Sequence, residues 1–523
     1  MKKIISAILI LSIFGSCTKN FERINTDPNQ ISDELLKQDF NLVGSPFSGL
    51  LFNLFGHQIE EDLCHDSWMG HLQTPTPFVG NVNNTTYYVR WNVYWDRVYG
   101  SVMSPAKQVI QLAEDNNLPL FATWAKLIRI LSVSKLTAYH GPVIYSNYGT
   151  TESSILYDKE SDLYNQFFTE LDAIQAEFAA NTGYKGFAKF DPSYKGEITA
   201  WMKLVNSLRL RLAIRISKVA PDVAKTQGEK AMSDPAGLIE ANADNFNVAL
   251  LGQKIPFAVI CFEWDDTRMG AVMESFLGGL KDKRVEKFFS VADNPTHYAD
   301  HPSFPYKGIR NGAYVAAKID RVPFSRISTD FQTVQKRRAF TAAEVSFLKA
   351  EAALRNWAGA GDAKENYENG VKLSFADWGA SGVDAYLADN TSKPWNYVDP
   401  LDARNNFTSL STVTVAWNDA DNNEVKLEKI ITQKWINNYT NSLEAWVDFR
   451  RTGYPKIPHV AKNDSSPDWG VIPADQWIKR MPFVNSERTG NAEGVADAVS
   501  KMGPGAKDDI ATRLWWDTGG PNF

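Results

Sequence analysis

Cysteine is scarce in this sequence, which has 3 cysteines among 523 residues. So few cysteines exclude a disulfide-dense scaffold, and no two of them have the Cys-x-x-Cys spacing of zinc and redox sites. Positive charge is also limited, because 55 Lys and Arg residues stand against 61 Asp and Glu residues. The strongly basic surface that binding to nucleic acid requires is therefore not expected.

Catalytic signatures are missing from the sequence as well. It contains no Gly-x-Ser-x-Gly elbow, no phosphate-binding Gly-x-x-x-x-Gly-Lys-Ser/Thr loop and no His-Glu-x-x-His pair. Carboxylates are plentiful, but the two carboxylates of a glycosidase cannot be picked out by their spacing. An enzymatic function consequently has no specific motif to support it.

Long apolar runs are confined to the N-terminus. Residues 4–14 form an apolar run after Met1-Lys2-Lys3, and the run is shorter than the about 20 residues that cross a bilayer. The small residues Gly15 and Ser16 then stand directly before a cysteine. This pattern predicts an export signal over residues 1–16.

The cysteine after this signal, Cys17, resembles the acylated cysteine of bacterial lipoproteins, whose thiol is diacylated and which becomes the new N-terminus. Phe14 departs from that lipobox pattern, which prefers Leu. Lipidation at Cys17 is the preferred interpretation, and a plain secretory signal beside a coincidental cysteine is the alternative. Two acyl chains would anchor the protein stably, with residues 17–40 as a lipidated tether.

Helical periodicity dominates the chain from about residue 31 onward. Apolar residues recur at helical spacing in five segments: 119–139, 161–178, 199–218, 341–357 and 425–439. Between them lie long stretches rich in Pro, Gly, Asn and aromatic residues: 70–90, 252–330, 376–424 and 453–523. Loops of this length are usually functional or heavily packed. Because no change of composition marks a linker, we expect a mainly α-helical, single irregular domain over residues 41–523.

Three histidines, His57, His65 and His71, lie close together in the sequence. If the stretch is helical, His57, Glu61 and His65 share one face, and such ligands suit a transition metal. However, His57 and His65 would then lie about 12 Å apart along the axis. That is too far for one ion with bonds near 2 Å, so a polar helix face or pocket rim is preferred and no metal site is assigned.

Two further features each leave an alternative open. Asp419-x-Asp421-x-Asn423 has the oxygen spacing that opens a calcium loop, but Glu424 replaces the required Gly and Ile430 the bidentate Glu. A solvated turn before a helix is preferred there over a structural calcium site. The two remaining cysteines could pair or stay buried thiols, and we prefer two buried thiols: Cys64 and Cys261.

Three arginines, Arg209, Arg211 and Arg215, lie in one predicted helix with otherwise apolar faces. They could form an anion site. The preferred interpretation is that their stems pack while their guanidinium groups pair with acids such as Glu351 or Asp448. Glu351 itself is also spaced for an i,i+4 pair with an arginine of its own helix, at position 355.

Several segments spread over the chain carry a shared signature. They are FERINTDPN (21–29), YHGPVIYS (139–146), WMKLVNSLRLRLA (201–213), FLKAEAALRNW (347–357), QKW (433–435), EAW (444–446) and DFRRTG (448–453). Together they resemble the SusD/RagB family, particularly its second SusD-like subgroup. His140 and Asn356 depart from the family pattern, which has Tyr and commonly Gly at these positions.

This resemblance implies tetratricopeptide-like helix pairs that form a scaffold for a long-looped, irregular ligand-binding half. It also implies a non-catalytic lipoprotein, without a cofactor, on the outer surface of an outer membrane. Such proteins partner a SusC-like TonB-dependent transporter and capture nutrients, often oligosaccharides and sometimes peptides. The matching motifs are mostly scaffold and do not identify the ligand. A peptide ligand, or a lipid-anchored glycan-processing enzyme, are the alternatives to an oligosaccharide-binding protein.

Aromatic side chains on loops are the candidate ligand contacts. Sugar C–H faces pack on Trp and Tyr rings, while polar side chains bond the hydroxyl groups. The segment 68–90 has the most suitable composition, and the resemblance points to a second loop region at about 262–315. The predicted ligand-binding residues are Trp68, Asn84, Tyr87, Tyr88 and Arg90 in the first region and Trp264, Tyr306 and Tyr314 in the second.

Overall fold

Helices make up most of the regular structure in the computed structural model, which describes residues 38–523. The first group is α1 (Asn41–Gly44), α2 (Phe47–Phe52), α3 (Tyr94–Val98), α4 (Ser104–Asp115), α5 (Pro119–His140), α6 (Glu160–Ala180), α7 (Ile198–Arg215) and α8 (Pro221–Ser233). The second is α9 (Pro256–Ala258), α10 (Ala271–Gly279), α11 (Val285–Phe288), α12 (Lys318–Arg321), α13 (Ala342–Leu354), α14 (Ala363–Trp378), α15 (Val383–Leu387), α16 (Asn423–Asn437), α17 (Ser442–Thr452), α18 (Asn485–Gly490) and α19 (Ala492–Lys501). The mainly α-helical prediction is confirmed. The predicted export signal and Cys17 lie outside the described residues.

The five predicted helices are present as α5, α6, α7, α13 and α16. The loop prediction for 252–330 is wrong where α10 lies, and the one for 453–523 is wrong where α18 and α19 lie. Helix α10 was not predicted because eight of its residues are buried. A helix that is buried on all sides has no polar face, so its apolar residues show no helical periodicity.

Consecutive helices pack on one another along the scaffold. Helix α4 packs on α5, α5 on α6, α6 on α7 and α7 on α8, and α13 packs on both α14 and α16. A contiguous cluster of buried apolar residues extends from Val43 to Trp516. Its largest fully buried side chains are tryptophans: Trp68, Trp124, Trp201, Trp435, Trp446 and Trp516.

Buried ion pairs hold the arginines of α7. Arg211 donates to both oxygens of Glu344 at 2.9 and 2.8 Å. Arg215 donates to Glu444 at 2.8 Å. Arg209 donates to Asp172 at 2.5 Å. The prediction that the three arginines pair with acids is confirmed, but their partners are Asp172, Glu344 and Glu444 rather than Glu351 and Asp448.

Glu351 and Asp448 serve a different arginine. Arg451 donates to the two oxygens of Glu351 at 2.6 and 2.7 Å and to Asp448 at 3.0 Å. The predicted pair within α13 is also present, because Arg355 donates to Glu351 at 2.8 Å. Burial alone would raise the pKa of Glu351, but Arg451 and Arg355 outweigh it and lower that pKa to about 2.

Two short antiparallel ladders complete the fold. Strand β1 (Leu72–Gln73) pairs with β3 (Arg268–Met269), and β2 (Phe246–Ala249) pairs with β4 (Lys336–Phe340). Gly270, directly after β3, must be glycine for space, since a Cβ there would lie 2.1 Å from the carbonyl oxygen of Gly70. The β1–β3 ladder places the two predicted ligand-binding loop regions side by side.

Cys64 and Cys261 are both free and buried, which confirms the preferred interpretation. Burial raises the pKa of the Cys64 thiol to about 12 and that of Cys261 to about 11. Both side chains therefore act as small apolar residues. Over residues 38–523, no helix has the length and apolar character needed to cross a membrane.

Candidate ligand-binding surface

One buried carboxylate, Asp266, ties its own loop to three other segments. Its oxygens accept a hydrogen bond from the Gln58 amide at 2.5 Å and another from the Thr76 hydroxyl. The Lys318 ammonium lies 3.4 Å from Asp266 and also donates to the main-chain oxygen of Trp264 at 2.9 Å. These bonds define a surface built from residues 57–58, 74–78, 262–266 and 318–321, which we call the Trp264 surface.

The indole of Trp264 stands at the centre of this surface. The residue is 48% exposed, and its ring centroid lies 5.1 Å from that of His57. Ile319, on the neighbouring loop, is 71% exposed. A single exposed apolar side chain is unremarkable, but a Trp and an Ile together on hydrogen-bonded loops form an apolar patch with polar neighbours.

The backbone after Trp264 is held in an uncommon conformation. Asp265 has a φ of 54°, in the left-handed region that non-glycine residues rarely adopt. Its carboxylate accepts a hydrogen bond from Arg268 at 2.6 Å and lies 3.2 Å from the guanidinium of Arg326. These ion pairs support the strained turn that presents the indole.

A second aromatic group lies next to this surface along the chain. The Arg90 guanidinium lies 5.0 Å from the Trp91 ring centroid, and the Phe78 ring meets Trp91 edge-on at 5.3 Å. Tyr88 is also exposed. Phe78 follows Thr76 by two residues, a span of at most about 7 Å, so this group borders the Trp264 surface.

Three predicted ligand contacts, Trp68, Asn84 and Tyr87, are instead buried in the core. The Trp68 indole donates to the main-chain oxygen of Asn84 at 2.9 Å, and its ring lies 4.9 Å from that of Trp446. Burial also raises the pKa of the Tyr87 phenol. The physical reason is that a long loop in a folded protein must bury its large apolar side chains, so these residues support the loop and offer no exposed ring.

Asn84 fastens this loop through its amide. Its side-chain oxygen accepts the backbone N–H groups of Arg90 at 2.9 Å and of Trp91 at 3.1 Å. Its amide nitrogen donates to the Trp91 carbonyl at 2.7 Å. Asn84 thereby fixes the backbone that carries Arg90 and Trp91.

Tyr306 belongs to a separate aromatic cavity of about 570 Å³. The Phe304 ring lies 5.0 Å from Tyr306 and 5.2 Å from Trp395. His301 stacks flat on Trp395 at 3.7 Å, and Gly278 makes room for the indole, since a Cβ there would lie 2.0 Å from it. Charged side chains line the rest of the cavity: Lys281, Asp282, Lys283 and Glu286.

Tyr314 contacts a different segment. Its backbone N–H and oxygen bond the Asn405 amide at 2.8 and 3.1 Å. Its half-buried ring is covered by the Arg404 guanidinium, 4.1 Å from the ring centroid. The structure thus brings Trp264, Tyr88 and Arg90 to neighbouring loops and places Tyr306 and Tyr314 in surroundings of their own.

The histidine cluster does not stack as an α-helix would place it. Residues Gln58–Asp66 form a π-helix, and His57 precedes it in an extended conformation. Glu61 pairs with Arg337, which outweighs burial and lowers the Glu61 pKa to about 2. Among residues 38–523, no group of three or more His, Cys, Asp and Glu side chains is arranged to hold a metal ion.

The segment proposed as a turn before α16 contains a helix cap. The Asn422 side chain accepts the N–H of Val425 at 3.0 Å, and Asp421 pairs with Lys429 of the same helix at 3.0 Å. Asp419 accepts a hydrogen bond from the Trp417 indole at 2.9 Å. These oxygens are engaged in capping and ion pairing.

The sequence could have indicated one aromatic residue that was not predicted. Trp395 follows Lys393-Pro394 in a loop rich in Asn and Pro, so it meets the same criterion that selected Trp264. Ile319 and Lys318 carried no such signal, because a short loop helix with one exposed apolar residue looks like ordinary surface.

Taken together, the fold and the surface define a helix-scaffolded protein whose loops display an aromatic patch. The family model described as "SusD-like: Susd and RagB outer membrane lipoprotein" matches residues 23–517, and the chain belongs to this family. No curated protein matches the chain.

Solved structures of SusD homologues share the fold. A chitin-binding SusD homologue from Flavobacterium johnsoniae is 38% identical with a TM-score of 0.86, and the match covers 92% of this chain and 100% of that chain. A SusD homologue from Bacteroides uniformis is 33% identical with a TM-score of 0.82, covering 91% of this chain and 99% of that one. One from Bacteroides vulgatus is 30% identical with a TM-score of 0.84, covering 93% and 99%.

Proposed function

We propose that the protein is a lipid-anchored, cell-surface glycan-binding protein that delivers oligosaccharides to a SusC-like TonB-dependent transporter of the outer membrane. The single observation that carries the proposal is the half-exposed indole of Trp264, held at the junction of four hydrogen-bonded segments. Membership of an outer membrane lipoprotein family and the cysteine at position 17 support the location.

The Trp264 surface has the chemistry that a sugar requires. An exposed indole face packs against the C–H groups of a pyranose ring, and adjacent amide, ammonium and carboxylate groups bond its hydroxyls. Gln58 and Lys318 are polar groups of this surface that the Asp266 network positions. Because that network fixes the backbone before a ligand binds, little conformational entropy is lost on binding.

Two acids of this surface, Asp265 and Asp266, are committed to structural bonds. Asp265 pairs with Arg268 and Arg326, and Asp266 bonds Gln58 and Thr76. A glycosidase needs one carboxylic acid and one carboxylate free to reach the glycosidic bond from two sides. Together with membership of the SusD-like family, these commitments support capture without hydrolysis.

The chitin-binding relative supports a β-1,4-linked N-acetylglucosamine oligosaccharide as the first ligand to test. Isothermal titration calorimetry would compare chitohexaose, cellohexaose and maltohexaose with a panel of hexapeptides. The proposal expects binding to at least one oligosaccharide, no binding to the peptides and unchanged ligand length by mass spectrometry after prolonged incubation. Binding to peptides alone would favour a peptide-binding member of the family, and shortened sugars would identify an enzyme.

The transporter partnership has a separate test. The proposal expects a gene for a SusC-like transporter directly beside the gene for this chain, and co-purification of that transporter with the affinity-tagged protein from solubilised outer membranes. An unrelated outer-membrane lipoprotein carrying the same tag is the control. Recovery of the protein without the transporter under conditions that preserve the membrane complex would contradict the partnership.

A further inference from the structure

A second cavity, of about 330 Å³, opens beside the C-terminal end of α17. None of its lining residues is acidic, and five of them are cationic: Arg450, Arg451, Lys456, Lys479 and Arg513. The chain as a whole has a net charge of −6. A pocket of this sign on an acidic protein concentrates positive potential where a small anion can enter. We call it the basic cavity.

Lys479 is the cation that the protein leaves uncompensated. The residue is only 9% exposed, and among residues 38–523 no hydrogen bond or ion pair reaches its ammonium group. The titratable groups that face it are Arg513, Arg450, Asp517 and His459. A largely buried lysine without an ion-pair partner is disfavoured, and an anion bound in the cavity that Lys479 lines would supply that partner.

The neighbouring arginines add positive charge around Lys479. The Arg450 guanidinium donates to main-chain oxygens of Trp446, Lys479 and Ala138 at 3.3, 2.7 and 2.6 Å. Arg513 already has a carboxylate partner, since its guanidinium lies 2.5 Å from buried Asp517. Arg451 and Lys456 also pair with acids, Glu351 and Glu428. Among the described residues, Arg450 and Lys479 are therefore the lining cations that no carboxylate bonds.

The remaining cavity wall is apolar and aromatic. Phe449, Ile457 and Trp477 line it, and the Trp477 ring is fixed by His459 at 3.9 Å and by Phe449 at 5.3 Å. Such a wall suits the C–H face of a ring, as cations suit a carboxylate. The volume is at the lower end for small-molecule sites, which fits a ligand of monosaccharide size.

We infer that the basic cavity binds a carboxylate-bearing monosaccharide, with the carboxylate near Lys479 and Arg513 and the sugar ring against the wall formed by Ile457 and Trp477. The site shares no lining residue with the Trp264 surface. It adds recognition of an acidic sugar to the proposed uptake of oligosaccharides, without depending on that proposal.

Calorimetry on the full chain with D-glucuronate, D-glucose and inorganic sulfate tests this inference. We expect glucuronate to bind, glucose not to bind and sulfate to bind at least tenfold more weakly than glucuronate. Burial lowers the pKa of Lys479 to about 8. An ammonium group is charged below its pKa, so affinity for glucuronate should fall as the pH rises from 7 to 9.

Variants locate the site. Lys479→Gln should weaken glucuronate binding at least tenfold, whereas Lys225→Gln, an exposed lysine paired with Glu229, should leave it unchanged. Trp264→Ala should also leave it unchanged, which separates this site from the proposed glycan surface.

Thermal melting checks that each variant is folded. If Lys479→Gln does not fold, the relative affinities of glucuronate, glucose and sulfate for the unmodified chain test the inference. Equal affinity for glucuronate and glucose, equal affinity for sulfate and glucuronate, or an undiminished affinity in folded Lys479→Gln would overturn the inference.

Discussion

Trp264 combines an exposed ring with a fixed backbone, and this combination makes it the most direct residue to test. Replacing Trp264 by Ala removes the ring face without opening the core, because 48% of the residue is already exposed. We expect at least a tenfold loss of affinity for the bound oligosaccharide, or about 1.4 kcal/mol or more, measured by calorimetry. The melting temperature should change little.

Trp417→Ala is the matched control for this variant, because Trp417 is a partly exposed tryptophan of another segment, bonded to Asp419. It should leave affinity for the oligosaccharide unchanged. Equal losses in the two variants would show that Trp264 acts through general stability rather than through contact.

Asn84 is expected to act on stability. Asn84→Ala would leave the part-buried N–H groups of Arg90 and Trp91 without their acceptor. The free energy of unfolding, measured by denaturant titration, should fall by about 1–3 kcal/mol. Asn83→Ala offers a comparison, because Asn83 caps only a short turn through the N–H of Thr85. A loss for Asn84→Ala no larger than that for Asn83→Ala would contradict the role of Asn84 as the fastener of the loop.

At the scale of single residues, the sequence predicted which types of side chain the loops carry better than which of those side chains are exposed. Loop aromatics were expected to be ligand contacts, and Trp264 and Tyr88 are indeed exposed, but Trp68 and Tyr87 are buried. No local pattern separates these two outcomes, since a loop aromatic is buried or exposed according to what packs on it from distant segments. Trp446, which covers Trp68, lies far along the chain.

Among the helices, α13 and α17 depend on a buried ion-pair network centred on Glu351. Its folded pKa of about 2 lies below the value near 4.3 expected in the unfolded chain. A depressed carboxyl pKa contributes stability that is present above the unfolded pKa and is lost as the pH falls through the folded pKa. The contribution should therefore disappear between about pH 4.5 and pH 2.

Glu351→Gln should lower the free energy of unfolding at pH 7 by about 3–5 kcal/mol, because Arg451 and Arg355 would keep buried charges without their carboxylate. Denaturant titration as a function of pH checks this. The difference in the free energy of unfolding between the unmodified chain and the variant should decrease as the pH falls from 4.5 toward 2. Glu152→Gln, at an exposed position, should show no such difference at any pH. A constant difference for Glu351→Gln would refute the electrostatic explanation.

The helices also show why some elements could be predicted and others could not. Helix α5 was predicted to within one residue, because it begins at Pro119 and its apolar residues recur regularly. The π-helix Gln58–Asp66 could not be predicted, since its hydrogen-bond spacing depends on tertiary contacts such as that of Glu61 with Arg337. The proposed face of His57, Glu61 and His65 therefore did not form.

Over the whole molecule, the candidate surface depends on contacts between distant parts of the chain. The β1–β3 ladder pairs Leu72 with Met269, and Asp266 bonds Gln58. The resemblance to the SusD/RagB family pointed to both regions, whereas the partners of Asp266 could not be found from local sequence. The tetratricopeptide-like arrangement of the helix pairs stays a prediction from that resemblance.

The proposed lipid anchor at Cys17 concerns the whole chain and has its own test. Cys17→Ala should abolish metabolic labelling with radioactive palmitate and release the protein from the outer-membrane fraction of cells that lack the transporter. The removal of the acyl chains takes away the apolar surface that holds the protein to the bilayer. Cys64→Ala is the control and should leave both labelling and fractionation unchanged, because Cys64 is buried. Continued membrane association of Cys17→Ala in those cells would refute lipidation at this position.

The most direct test of the proposed function is a crystal structure of the protein with the oligosaccharide that it binds best in titration. The proposal predicts a sugar ring stacked on the Trp264 indole, with hydroxyl groups bonded to side chains of the neighbouring loops and the glycosidic bonds intact. An oligosaccharide bound only in the Tyr306 cavity or elsewhere, with the Trp264 indole bare, would contradict it.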